Sequence, residues 1–83
     1  MIVHVRLFAA IREALGRDQF QMNLAEGATP EDVWRELLRL DPSHQLPARR
    51  HTLAAAVNRK YSKFDAPLSE GDEVVFIPPV SGG

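Results

Sequence analysis

The sequence predicts one α+β domain in which a single main helix lies across one face of a small sheet. Three observations carry that prediction. The chain has 83 residues, the length of one domain. Five segments read as strands, by alternation or as short apolar runs bounded by turn residues. One segment, opened by Thr29-Pro30-Glu31-Asp32, places apolar residues at helical spacing. Strands in runs with one main helix between them fit a helix packed on a sheet.

The elements follow in chain order. Ile2 to Phe8 alternates, with Val3, Val5 and Leu7 on one side and His4 and Arg6 on the other. This is the pattern of a half-buried strand. From Phe8 the period changes: Phe8, Ile11 and Leu15 recur at helical spacing, and Gly16 stands where a helix C-cap falls. A short helix is expected there. Gln19 to Leu24 alternates again, with Phe20, Met22 and Leu24 inward, and is expected to pair antiparallel with the first strand. Ala25 to Ala28 makes a turn. Thr29 is then an N-cap, Pro30 the first helical residue, and Asp32 the partner three positions on. Val33, Leu37 and Leu40 form the apolar stripe, widened by Trp34 and Leu38, and Asp41-Pro42 ends the helix.

Residues 41–52 are expected to be mainly loop, with helical pieces, because Pro42 and Pro47 interrupt any period. Leu53 to Val57 reads as a strand with Leu53, Ala55 and Val57 on one face. Asn58-Arg59-Lys60-Tyr61 reads as a turn and a short edge strand. Leu68 to Asp72 is a turn, and Glu73 to Ile77 is the last strand. Pro78-Pro79 ends it, since neither residue donates to a ladder. In this last strand Val74 and Phe76 face one way and Val75 and Ile77 the other. A half-buried sheet needs one apolar face, so the second is covered either by the first short helix or by a partner.

Composition narrows the function classes. There are no cysteines, which removes disulfides, thiolate metal sites and a sulfur-carrying Cys. This fits a cytoplasmic protein. His4, His44 and His51 lack ligand spacing, so no metal site is expected. Ten basic against eleven acidic residues, net −1, argue against nucleic acid as partner. No apolar run reaches membrane-spanning length, and the alternating start is unlike a signal peptide. Arg49, Arg50, Arg59, Lys60 and Lys63 make 49–63 basic, either as a solvated face or as a surface steering an acidic partner.

Three segments carry a resemblance. Arg6-Leu7-Phe8-Ala9-Ala10-Ile11-Arg12-Glu13 with Gly16 resembles the opening of the small subunits of molybdopterin synthase, in the ThiS/MoaD sulfur-carrier family. Ala56-Val57-Asn58-Arg59-Lys60-Tyr61 resembles the middle motif of that family. Leu68, with the run from Glu70-Gly71-Asp72 through Phe76-Ile77-Pro78-Pro79-Val80-Ser81-Gly82-Gly83, is similar to its C-terminal signature. The likeness spans the chain; 41–52 departs from it. It implies a ubiquitin-like β-grasp domain over 1–77 and an extended Gly-Gly tail over 78–83.

The resemblance also implies a role as sulfur carrier in molybdenum cofactor biosynthesis. Gly83 is expected to be adenylated by a partner enzyme that uses ATP, and converted to a thiocarboxylate with sulfur from a donor protein. The tail then enters the large subunit of molybdopterin synthase and gives sulfur to a pyranopterin precursor. A heterotetramer of two small and two large subunits is implied. This chain is expected to be non-catalytic and to bind no cofactor. Gly82 and Ser81 keep the tail slim, Val80, Pro79 and Pro78 guide it, and Phe8, Phe76 and Ile77 are candidate partner contacts.

The residue types suit that chemistry. A free α-carboxylate is ionised at neutral pH and is a poor electrophile. It must be activated before sulfur is loaded. The chain has no Gly-rich phosphate loop followed by Lys, so the activating site belongs to another protein. Glycine at 82 and 83 clears the reacting carbonyl of side chains and frees the backbone. From Pro78 to Gly83 the chain spans roughly 20 Å at about 3.3 Å per residue. Ser81 has no compelling His partner, so it reads as a slim polar spacer rather than a nucleophile. Three other readings share the tail: a carrier for thiazole or another thiolated product, a ubiquitin-like protein modifier, and an interaction domain with an inert end.

Overall fold

The alternation at the start of the chain becomes strand β1 (Ile2–Arg6), with Val3 and Val5 buried and His4 and Arg6 exposed. The computed structural model describes residues 1–42, 44 and 46–78. Strand β2 (Gln19–Asn23) pairs antiparallel with β1, setting Val3 opposite Met22 and Val5 opposite Phe20. Between them runs α1 (Ala9–Leu15). It closes on Gly16 at φ 71°, whose N–H donates to the Arg12 carbonyl at 2.8 Å. That left-handed backbone is where glycine is favoured.

Helix α2 (Pro30–Leu40) starts as its sequence requires. The Thr29 hydroxyl oxygen accepts from the Asp32 N–H, and an Asp32 carboxylate oxygen accepts from the Thr29 N–H at 2.9 Å. Both bonds satisfy donors that a helix start leaves orphaned. The helix buries Pro30, Val33, Trp34 and Leu37. Leu40, expected in that stripe, is instead 44% exposed, because the last turn runs past the edge of the core.

The stretch expected to be mainly loop contains a 3-10 helix at Leu46–Thr52. It is anchored at both ends. Leu46 is fully buried and its N–H donates to the Asp41 carboxylate at 3.0 Å. Arg50 donates to Glu31 at 2.8 Å, and its guanidinium lies 3.4 Å from the Phe64 ring centre. Strands β3 (Ala54–Val57) and β4 (Lys60–Ser62) form a hairpin, and β5 (Glu73–Ile77) follows the turn at Gly71.

The sheet order is β2-β1-β5-β3-β4, with β1 and β5 parallel and the other pairs antiparallel. β5, last in sequence, is central in space. Val74 and Phe76 face the core, where Trp34 meets Phe76 edge-on at 5.3 Å and Phe64 stacks on it at 5.7 Å. Ile11 of α1 joins the same core. Both helices therefore lie on one side of the sheet, and the arrangement is that of the β-grasp. The expected division at 77/78 falls where β5 ends; residues 79–83 of the expected tail lie outside the described residues.

Candidate functional site at the root of the tail

β5 delivers the chain to the tail. It is held on one edge by β1 and on the other by β3, where Ile77 pairs with Ala54. The β1 pairing reaches Val75, and Phe76 and Ile77 are held by β3 alone up to the point of departure. Pro78 stands exposed just beyond. Of the residues expected to form the working tail, Pro79, Val80, Ser81, Gly82 and Gly83 lie outside the described residues.

Two depressions flank this exit, and Phe8 lines both. The smaller, about 140 Å³, lies on the helix side. Ile11, Leu53, Phe76 and Pro78 are among its walls. The larger, about 350 Å³, lies on the open face. It is lined by the buried Ala56 and Val75 together with Phe8, Ile77, Arg59, Tyr61, Arg6 and Glu73. The register explains the grouping. Tyr61 pairs with Ala56, Ala56 with Val75, and Val75 with Arg6, so one row of side chains crosses four strands on the outer face.

This settles the question of the second apolar face of β5. Helix α1 does not cover it, since Ile11 packs into the core on the opposite side. Among the described residues, only Phe8 of that segment reaches the outer groove.

Phe8 is unusual for its position. It is the N-cap of α1 yet supplies no capping bond, and it is 41% exposed. The next residue, Ala9, has φ 46°, a left-handed value that a residue with a Cβ adopts at a cost. A polar N-cap is worth about 1 kcal/mol over an apolar one. Phe8 forgoes a side-chain cap beside a left-handed residue and leaves its ring partly exposed. Arg6 lies over the Phe8 ring at 5.6 Å and pairs with Glu73 at 3.9 Å.

Of the three expected contact residues, Phe8 is exposed and Ile77 half-buried on the outer groove. Phe76 is corrected. It is 1% exposed, because its place on β5 turns it toward Trp34 and Phe64, so it has almost no surface to offer. Arg6, Arg59, Tyr61 and Glu73 were not singled out as site residues by sequence reasoning. The Asn58-Arg59 turn was a signal for Arg59 and Tyr61. The meeting of Arg6 with Glu73 depends on the parallel pairing of β1 and β5, which no local pattern announces. The basic stretch divides: Arg50 is paired to Glu31, Arg59 borders the groove, and Lys60 and Lys63 are exposed. Among the described residues, no three His, Cys, Asp or Glu side chains gather to hold a metal, and no helix is long and apolar enough to cross a membrane.

A mixed five-stranded sheet, helices on one side, and a central last strand leading toward Pro-Pro-Val-Ser-Gly-Gly in the sequence define a ubiquitin-like β-grasp protein. The chain belongs to the ThiS family, which matches residues 5–83. It is 37% identical over 82 residues to the molybdopterin synthase sulfur carrier subunit of Escherichia coli K12, covering 99% of this chain and 100% of that one. Among solved structures, the Haloferax volcanii HVO 2177 protein is similar with a TM-score of 0.81 and 26% identity, over 100% of this chain and 87% of the other. A chain in the complex of subunits 1 and 2 of the molybdopterin-converting factor of Helicobacter pylori 26695 is similar with a TM-score of 0.64 and 25% identity, covering both chains fully.

Proposed function

We propose that this chain is the sulfur-carrying small subunit of a molybdopterin synthase, working in the cytoplasm, and that its reacting group is the α-carboxylate of Gly83. One observation carries the reading: the family likeness runs to Gly83, and the central strand β5 leads toward that segment. The complex seen for the Helicobacter pylori factor supports a larger subunit as partner.

The chemistry proceeds in three steps. A separate adenylating enzyme joins the Gly83 carboxylate to the α-phosphate of ATP, releasing pyrophosphate. Hydrosulfide released from a donor protein attacks the acyl carbon and expels AMP, leaving a thiocarboxylate. The tail then enters the larger subunit, where the thiocarboxylate sulfur bonds to a carbon of a pyranopterin precursor and displaces an oxygen leaving group from it; water then cleaves the resulting thioester, restoring the Gly83 carboxylate and leaving the sulfur on the pterin. Two such deliveries complete a dithiolene, which suits a heterotetramer of two small and two large subunits. The acid–base groups and the pterin pocket belong to the larger subunit. Pro78, Pro79 and Val80 direct the tail, and Ser81 and Gly82 keep it narrow. Phe8 and Ile77 contact the partner beside the exit.

Extending the chain beyond Gly83 tests this reading. The carboxyl then becomes an amide, which cannot be adenylated. The expected outcome is an unchanged thermal melting curve with molybdopterin formation lost. An extended protein that still supports molybdopterin formation, with its extension intact by mass spectrometry, contradicts the reading.

A further inference from the structure

The two edges of the sheet differ in how they are guarded. The order β2-β1-β5-β3-β4 leaves β2 and β4 at the ends. β4 is short, opens on Lys60 and is followed by Lys63. Short length and lysine are devices that discourage edge-to-edge pairing. β2 has neither. Its sequence, Gln-Phe-Gln-Met-Asn, carries no charge and no proline, and its register against β1 runs unbroken from Gln19 to Asn23, without a bulge.

The free backbone groups of that edge follow from the ladder. Met1 and Leu24 exchange hydrogen bonds at 2.6 and 2.7 Å, and the Leu7 N–H donates to the Asp18 carbonyl at 2.8 Å. In an antiparallel pair, bonded and non-bonded positions alternate. Between those two bonded positions, Val3 with Met22 and Val5 with Phe20 are therefore bonded. Phe20 and Met22 turn their N–H and C=O toward β1. Gln19, Gln21 and Asn23 turn theirs outward, and all three are exposed. Opposite charges flank the strand. Arg17 precedes it, with its guanidinium 5.0 Å from the Phe20 ring centre, and Glu26 follows it. Neither makes an ion pair among the described residues.

We propose that β2 pairs with β2 of a second copy of this chain, antiparallel about a two-fold axis through Gln21, joining the two sheets into one. Gln21 then faces Gln21 of the second copy, and Gln19 faces its Asn23. Every outward N–H and C=O of the strand finds a partner in that register, and a shift in either direction leaves some unpaired. The same register sets the start of one β2 beside the end of the other. Arg17 of each copy falls opposite Ala25 of the other and next to its Glu26. That charge complementarity favours a second copy over an unrelated peptide. The interface is isologous and closes on itself, so it stops at the dimer. An edge of five residues is small beside a standard interface, so the dimer is weak and depends on concentration. β1 separates β2 from β5, and the exit of the tail stays open. The inference does not depend on the sulfur-carrier reading.

Sedimentation velocity of the full-length chain, from about 10 µM to about 1 mM, covers the range of a weak dimer. The unchanged chain is expected to move from monomer toward dimer as concentration rises, and no further. Gln21→Lys sets like charges face to face at the axis. Arg17→Glu sets like charges together at both ends. Both residues are exposed, so melting temperatures should stay close to the parent's, while dimerisation weakens several-fold or more. Arg17→Glu combined with Glu26→Arg should restore it. That rescue acts between copies, because within one chain the two residues lie roughly 30 Å apart at about 3.3 Å per residue. A parent that stays monomeric at the highest concentration overturns the inference and leaves the edge to an extended peptide of another protein. Assembly beyond the dimer, dimerisation that no variant weakens, or a double reversal that fails to restore it also overturns the inference. Each of these results leaves the sulfur-carrier reading untouched.

Discussion

Phe8 and Phe76 lie at the same end of the molecule and do opposite work. Phe76 fills the space between Trp34 and Phe64, so replacing it with alanine removes a buried ring and leaves a cavity. The expected loss is about 3–5 kcal/mol of unfolding free energy, measured in urea. A small domain has about 5–15 kcal/mol in all, so that variant should lose a large share of its stability. Phe8→Ala removes an exposed ring and no capping bond. Its unfolding free energy in urea should stay within about 0.5 kcal/mol of the parent. Its affinity for the larger subunit should fall about tenfold or more, as expected for an aromatic anchor. The opposite pattern, with Phe8 stabilising and Phe76 neutral, would invert the assignment. Sequence alone ranked these two residues together. Both are phenylalanines beside the tail motifs, and only the pleat of β5 against α2 separates them.

Helix α2 was the most legible element because its signals are local. Thr29, Pro30 and Asp32 announce its start and Asp41-Pro42 its end, and the structure places both there. Thr29→Ala should cost about 1 kcal/mol, since one donor of the first turn loses its partner. A loss near zero by urea titration would mean that water serves the cap equally well. On the same helix, the hydrogen bond from Arg39 holds the Glu36 carboxyl below the usual range, and the neighbouring positive charge adds to this while partial burial opposes it. A depressed folded value means stability that is present above the ordinary Glu pKa and lost as pH falls through the folded one. The pair is exposed, so the effect is small and salt-sensitive. Glu36→Gln should therefore be slightly less stable than the parent at neutral pH, with the difference vanishing in acid. A difference that persists in acid would point to packing instead. The 3-10 helix at Leu46–Thr52 was not placed from sequence, because it has no amphipathic period. It is held by three distant contacts, to Asp41, Glu31 and Phe64.

At the scale of the whole molecule, what the chain hides is adjacency. Each strand could be read from its own alternation. That β5 would insert between β1 and β3 could not, because the pairing joins residues about 70 positions apart, as in Val5 with Val74. The two apolar faces of β5 raised the question of what covers the second, and the structure puts Val74 and Phe76 in the core and Val75 under the outer groove. The tail was legible as sequence for the opposite reason. Its proposed chemistry lies in the order of its residues and in a free carboxylate, and depends on no fold of its own. The groove beside it was invisible until four strands were aligned. In the proposed reading the tasks are separate: the sheet holds the strand that leads to the tail, and Gly83 carries the sulfur.

The central claim is that Gly83 carries sulfur. The most direct measurement is the intact mass of the untagged chain after incubation with ATP, its adenylating enzyme and a sulfur donor. The account predicts a gain equal to replacing one oxygen by sulfur, located at Gly83 by fragmentation and absent when ATP is omitted. An unchanged mass, with the adenylating enzyme shown to be active on another carrier, would contradict it.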